Sequence, residues 1–230
     1  MKVPLVLLPG TLCTETVFAA QVDALSDVAE PFVLLATEGR DIVGCAAATL
    51  RRAPERFALV GFSLGGLVAF EIMRQAPERV VNLCLLSTNP RGSTPQNHET
   101  WAGWRQGVLE GGFPTIVRSH TEGVYGGAAV TADVRKVVEE MAFAVGVETF
   151  LAQLGLLESR VDSRPSLGTI ACPTLLIAGR QDPVTPLELH EETRALIPDA
   201  ALVPIEACGH YAPLEHPEAV SDLMHDWLRA

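Results

Sequence analysis

Along residues 2–89 the apolar positions follow two alternating periods. Compact runs such as Leu5-Val-Leu-Leu8, Phe57-Ala-Leu-Val60 and Val80-Val-Asn-Leu-Cys-Leu-Leu86 are separated by stretches whose apolar residues recur every three or four positions. Short runs bounded by turn residues read as buried strands, and the longer amphipathic stretches as helices laid over them. The pattern predicts strand 2–8, helix 16–26, strand 32–36, helix 41–52, strand 56–61, helix 64–76 and strand 80–87. It resumes at Pro173 with a strand to Gly179, a helix opening near Thr185, a strand over 201–205 and a closing helix from Pro217 to Leu228. This is the βαβ rhythm of an α/β fold, a mostly parallel, doubly wound sheet covered on both faces.

Between the two halves the rhythm stops. Residues 91 to about 167 contain no convincing strand, but Val134, Val137, Val138 and Met141 recur at helical spacing, as do Val147, Phe150, Leu151 and Leu154. Short helices with one apolar face are expected there, jointed at Gly111-Gly112, Gly126-Gly127 and Gly146.

The chemistry is concentrated in Gly61-Phe62-Ser63-Leu64-Gly65, a G-x-S-x-G pattern lying between the strand at 56–61 and the helix at 64–76. In that context the pattern is a nucleophile elbow, a turn tight enough to strain the serine backbone and project its hydroxyl. A serine hydroxyl needs a base, and the base an orienting acid; where this elbow occurs both follow it in the chain, acid first. Asp182 is the acid candidate, on the loop after the strand at 173–179, where Thr185-Pro186-Leu187-Glu188 reads as a capped helix start. His210 is the base candidate, in Cys208-Gly209-His210 after the strand at 201–205, with Gly209 expected to let that loop turn. His98, His120, His190, His216 and His225 are assigned solvated or capping roles. For the oxyanion, the backbone N–H of Leu12, in the loop after the first strand, and that of Leu64 are the expected donors.

Composition narrows the partners. The formal charge of −11 over 230 residues argues against nucleic acid and anionic membranes. Val3–Leu8 is too short for a signal core, and no apolar run is of membrane-spanning length. Five cysteines without a C-x-x-C pair fit a reducing, cytoplasmic setting. Cys13 and Cys208 lie near the site in sequence, so their modification is expected to block it.

Leu7-Leu-Pro-Gly-Thr-Leu-Cys13, Gly61-Phe-Ser-Leu-Gly-Gly66, Ala76-Pro-Glu-Arg-Val80, Pro173-Thr-Leu-Leu-Ile-Ala-Gly-Arg-Gln-Asp182 and Gly209-His210 together resemble the landmarks of the α/β-hydrolase superfamily, over nearly the whole chain. The chain is most similar to its small, lidded bacterial carboxylesterases. The resemblance implies a Ser63–His210–Asp182 triad, a backbone oxyanion hole, and neither metal nor organic cofactor. It also implies a core formed by 1–90 and 168–230, with 91–167 as a helical lid after the sixth family strand; the alternative is helices that extend the core. The chain departs from many relatives in having Pro9-Gly10 for His-Gly, in lacking an Asp-x-x-Gly-x-Gly stretch, and in having no room for the first strand and hairpin, so a sheet trimmed to about six strands is expected.

The segment 91–167 holds seven Arg or Lys and nine Asp or Glu, so no cationic trap is expected in it, and six of the chain's aromatics fall there. The expected substrate is a small, mostly apolar, neutral ester. A lactone, thioester or carbon–carbon bond suits the same triad. A cofactor-free oxygenase or lyase working through the His210–Asp182 dyad is the alternative of another kind, as is a ligand receptor that turns over slowly. A carrier protein presenting the substrate, and a monomeric or homodimeric state, stay open.

Overall fold

The structure is a computed structural model describing residues 2–125 and 130–229. Six strands, β1 (Val3–Leu8), β2 (Ala29–Val33), β3 (Phe57–Phe62), β4 (Val80–Leu86), β5 (Thr174–Gly179) and β6 (Ala201–Ile205), form one sheet in the order β2-β1-β3-β4-β5-β6. Every neighbouring pair is parallel. The connections carry α1 (Ala19–Ala24), α2 (Ile42–Arg52) and α3 (Leu64–Gln75). Between β4 and β5 lie α4 (Pro95–Leu109), α5 (Phe113–Gly123), α6 (Ala132–Glu158) and α7 (Arg164–Leu167), followed later by α8 (Leu187–Leu196), α9 (Ala212–Glu215) and α10 (Pro217–Arg229).

Both faces of the sheet are covered, so β3 and β5 are buried at every position and read as unbroken apolar runs. Successive side chains point to opposite faces. Val6, Leu8 and Leu59 pack with α2 and α3, while Leu5, Leu7 and Val60 pack with Phe18 and with Met224 and Trp227 of α10. The chain winds outward from β1 to β2, then crosses back to β3 on the other side of β1. The carboxyl ends of β1 and β3 therefore flank the topological switch point, where open α/β sheets form their crevice.

Two expected elements are displaced. The strand expected at 32–36 is β2, at 29–33, with Val3 opposite Ala29 and Leu7 opposite Val33. Pro31 within Ala29-Glu-Pro-Phe-Val33 disguised it; because β2 is an edge strand, the N–H that proline lacks is not needed for pairing. The helix expected over 16–26 divides into a 3-10 turn, Glu15–Phe18, started by the Thr14 side chain, and the short α1.

The helices between β4 and β5 build a small core of their own. Trp101, Val108, Phe113, Val117, Ala142, Phe150 and Leu154 cluster there, and Leu12 from the loop after β1 is buried among them. Gly146 (φ 75°) breaks α6, and Gly111 (φ 87°) turns the chain between α4 and α5. Gly126-Gly127 lies outside the described residues. Contrary to expectation, α6 is by length and composition apolar enough to cross a membrane. Its break at Gly146 and its buried Val138, Met141, Phe150 and Leu154 mark it as a helix packed in protein.

Candidate active site

The strand–turn–helix at Ser63 is held together by close approach. A Cβ on Gly61 would lie 2.7 Å from Gly65 O and Gly66 Cα, and one on Gly65 would overlap the Leu8 carbonyl. With that space kept free, α3 starts directly off β3 and Ser63 is forced to φ 52°, ψ −113°, a strained position for a residue with a side chain. The Ser63 N–H donates to Leu86 O at 2.9 Å and the Thr88 hydroxyl to Ser63 O at 2.9 Å, fixing the elbow to the end of β4.

Ser63 Oγ lies 3.1 Å from His210 Nε2, and His210 Nδ1 lies 2.8 Å from Asp182 Oδ2. Asp182 accepts the Val184 N–H at 2.8 Å, the Thr185 N–H at 3.0 Å and the Thr185 hydroxyl at 2.6 Å. Burial pushes the Asp182 carboxyl up; the electrostatic interaction and hydrogen bond with His210 and the Thr185 bonds outweigh it and hold it down to about 2. An ionised carboxylate only accepts, so Nδ1 carries the imidazole proton and Nε2 is free to accept from Ser63. The three side chains singled out in sequence are thus brought into one hydrogen-bonded line.

Their supports were not expected. Thr185 does not cap α8, which has Pro186 in the N-cap position and no side-chain cap bond; its hydroxyl is committed to Asp182 instead. Gly209 has no positive φ; the turn is taken by Ala207 (φ 53°). Glu215 in α9 accepts the Gly209 and Tyr211 N–H groups, each at 2.8 Å, and so grips the backbone on both sides of His210. Gln181 ties the two loops together, its N–H donating to Cys208 O and its Oε1 accepting the Cys208 N–H. The spacing Gly209-His-Tyr-Ala-Pro-Leu-Glu215 carried that signal, since a helix one turn past a histidine loop returns a carboxylate to it.

A family model described as "Alpha/beta hydrolase family" matches residues 6–223. The chain belongs to the alpha/beta hydrolase family. It is similar to a pimeloyl-[acyl-carrier protein] methyl ester esterase of Nitrosomonas europaea, 34% identical over 73% of this chain and 69% of that protein. Another esterase of that name, from Aromatoleum aromaticum, is 31% identical over 79% of this chain and 78% of its own length. Among solved structures, a thermophilic esterase from Thermogutta terrifontis, described as malate-bound, superposes with a TM-score of 0.88 at 25% identity, covering 100% of this chain and 90% of that one.

In this hydrolase a cavity of about 270 Å³ opens over Ser63, near the lower end of the roughly 300–1,000 Å³ usual for ligand sites. Thr11, Leu64 and His210 line it beside Ser63, and Trp101 and Trp104 form part of its wall. Phe113 and Phe150 face the small helical core instead, and Phe143 is exposed. The Leu64 N–H, at the start of α3, has no acceptor among the described residues. Leu12 differs from expectation: its N–H donates to Gln153 Oε1 of α6 at 3.0 Å and its side chain is buried away from the cavity. Thr11 is the loop residue that reaches the cavity, and its N–H has no acceptor among the described residues. The donor expected at Leu12 is therefore occupied, because a residue 141 positions away in sequence folds over it.

His190 and His120 are not solvated caps. His190 is buried; its Nε2 accepts the Thr88 N–H at 3.2 Å, and burial pulls its pKa down to about 4. His120 lines the cavity, stacked edge-on against Trp104, and burial together with the nearby His210 likewise lowers it to about 4. Both rings are neutral at ordinary pH. Cys13 and Cys208 are buried, and burial raises both thiols, Cys13 to about 12, so neither offers a reactive thiolate.

Among the described residues, one charged side chain lines the cavity. Arg160, just past α6, stacks its guanidinium 5.4 Å from the centre of the Trp101 ring, and Nη2 donates to Asn97 Oδ1 at 3.3 Å. Burial pulls its pKa down, yet arginine stays a cation at any working pH. A cation–π contact returns about 0.5–2 kcal/mol, less than the several kcal/mol that desolvating an ion costs. The net acidity of residues 91–167 is not what the cavity sees: their other charged side chains do not line it.

Proposed function

We propose that this hydrolase cleaves a small carboxylic ester through an acyl-enzyme on Ser63. The observation that carries the reading is the line Ser63 Oγ–His210 Nε2–Asp182, ending at the strained serine in a cavity of about 270 Å³. His210 takes the Ser63 proton as Oγ attacks the ester carbonyl, and then protonates the leaving alcohol. It next deprotonates a water that cleaves the acyl-enzyme, while Asp182 holds the tautomer and stabilises the imidazolium. The free N–H groups of Thr11 and Leu64 receive the oxyanion, a role worth about 2.7–4 kcal/mol for each donor. Helices α4 to α6 act as the lid of residues 91–167, their Trp101 and Trp104 closing the cavity. A reducing, cytoplasmic setting is part of the proposal, supported by the five free cysteines.

Labelling with a fluorophosphonate, on wild type and Ser63→Ala, tests this reading, followed by a p-nitrophenyl ester chain-length series. Labelling of wild type alone, with short esters turned over fastest, is expected. A folded wild type that takes no label would sink the proposal. The second reading is a carrier-linked methyl ester, the substrate that the names of the relatives state. It predicts that a free methyl ester of the same acyl chain is a much poorer substrate than the carrier-bound one.

A further inference from the structure

Two residues that line the cavity, Arg160 and Ser87, each carry a buried polar atom without a partner among the described residues, Nε and Oγ. The rest of the Arg160 guanidinium is little better served. Its acceptor, Asn97 Oδ1, already receives the Thr94 N–H at 3.0 Å as part of the cap of α4. The carboxylates flanking Arg160 in sequence are engaged elsewhere: Glu158 by Arg105 at 2.9 and 3.0 Å, and Asp162 by Arg164 at 2.9 and 3.1 Å. Among the described residues no Asp or Glu lines the cavity, and Arg160 makes no ion pair. His120, the nearby imidazole on the wall, is neutral and adds no second positive charge.

Nε and Nη2 lie on the same edge of the guanidinium, the edge that receives both oxygens of a carboxylate in a forked pair. One is unbound and the other weakly held. We propose that Arg160 is the anion-binding residue of the substrate pocket, and that the ester cleaved at Ser63 carries a carboxylate, as a monoester of a small dicarboxylic acid does. The inference rests on the Ser63 reading above and replaces the neutral substrate expected from the sequence. A single cation balances a monoanion; a phosphate monoester, close to −2 at neutral pH, would leave uncompensated charge in a cavity with no other cation among the described residues. The apolar part of the acid would lie along Trp101 and Trp104.

The test compares monomethyl and dimethyl esters of succinic, glutaric and adipic acids, with wild type, Arg160→Met and Arg160→Lys, following proton release. Methionine keeps a stem over Trp101 without the charge, and melting curves report whether each variant is folded. Wild type is expected to prefer the best monoester by about tenfold or more in kcat/KM, chiefly through KM. The ratio falls to near one in Arg160→Met and recovers in part in Arg160→Lys. Calorimetric titration of Ser63→Ala with the same esters needs no turnover: the monoester binds about tenfold more tightly than the diester, and adding Arg160→Met erases the difference. Equal affinities in Ser63→Ala, or a preference that survives Arg160→Met, would overturn the proposal. An alkyl phosphate of matched length that binds more tightly than the monoester overturns the carboxylate assignment. If wild type turns over no ester, the Ser63 reading fails, and the titration still decides Arg160.

Discussion

Replacing Gln153 by leucine tests how α6 reaches the chemistry. Gln153 is buried in α6, and its Oε1 is the acceptor for the Leu12 N–H at 3.0 Å. Leu12 holds φ 57°, a conformation that costs a branched residue on the order of 1–3 kcal/mol and persists only where its surroundings enforce it. Two things enforce it here: the Gln153 bond, and burial of the Leu12 side chain among Trp101, Phe113 and Phe150. Removing the acceptor strands a buried donor at about 1–3 kcal/mol, as much as the strain itself. The loop then relaxes and shifts the adjacent Thr11 N–H, the oxyanion donor proposed above. Full loss of one oxyanion donor lowers kcat by about 100- to 1,000-fold, so partial displacement is expected to lower it by about 10- to 100-fold. KM changes little, because the donor acts on charge that develops in the transition state. The melting temperature falls by about 2–10 °C, from the stranded donor. Steady-state kinetics on a short p-nitrophenyl ester, beside a thermal melt, reads all three. A lowered melting temperature with kcat within about twofold of wild type would show that the Leu12 bond is structural alone. A rise in kcat would refute the reasoning outright, making Leu12 N–H a working donor that Gln153 blocks.

Asp182→Asn is expected to lower kcat by about 10⁴-fold, since an amide in that place favours the wrong imidazole tautomer; kcat within tenfold of wild type would argue for a different orienting group. The same carboxyl links stability to pH. Its folded pKa, held down to about 2, lies below the unfolded value of about 3.9, so its contribution of about 2 kcal/mol is present above pH 4 and is lost as pH falls through 2. Chemical denaturation from pH 5 to pH 2 should show that loss in wild type and not in Asp182→Asn. Gly65→Ala drives a methyl group into the Leu8 carbonyl, and is expected to cost several kcal/mol or to abolish soluble expression; a normal melting curve with full Ser63 labelling would refute the steric argument for the elbow. Iodoacetamide should leave activity intact in the native protein and reach Cys13 and Cys208 only after unfolding, read by mass spectrometry, because both thiols are buried and protonated.

Much of this molecule was legible in the chain because its physics is local. Near-continuous apolar runs are what parallel strands covered on both faces show, so β1, β3, β4 and β5 stood out. The elbow was legible because strand, glycines, serine and helix are contiguous, from Phe57 to Gln75, and Asp182 and His210 because each follows a strand end. Where pattern and neighbour conflicted, the neighbour decided. Pro31 speaks against a strand until it is known to lie on the sheet's edge, and Thr185 reads as a cap until a carboxylate claims its hydroxyl. Histidines 120 and 190 carry nothing in sequence to say that burial keeps them neutral. The features that set this site apart come from long-range folding. Gln153 meets Leu12 across 141 residues, Glu215 grips the His210 loop from the next helix, and Arg160 lies in a cavity whose other walls include residues of β3, α3, the loop after β4 and α4. Composition counts charges along a segment and makes 91–167 acidic; only the fold decides which of those charges faces the cavity, because its acidic residues turn outward or pair elsewhere and Arg160 does neither.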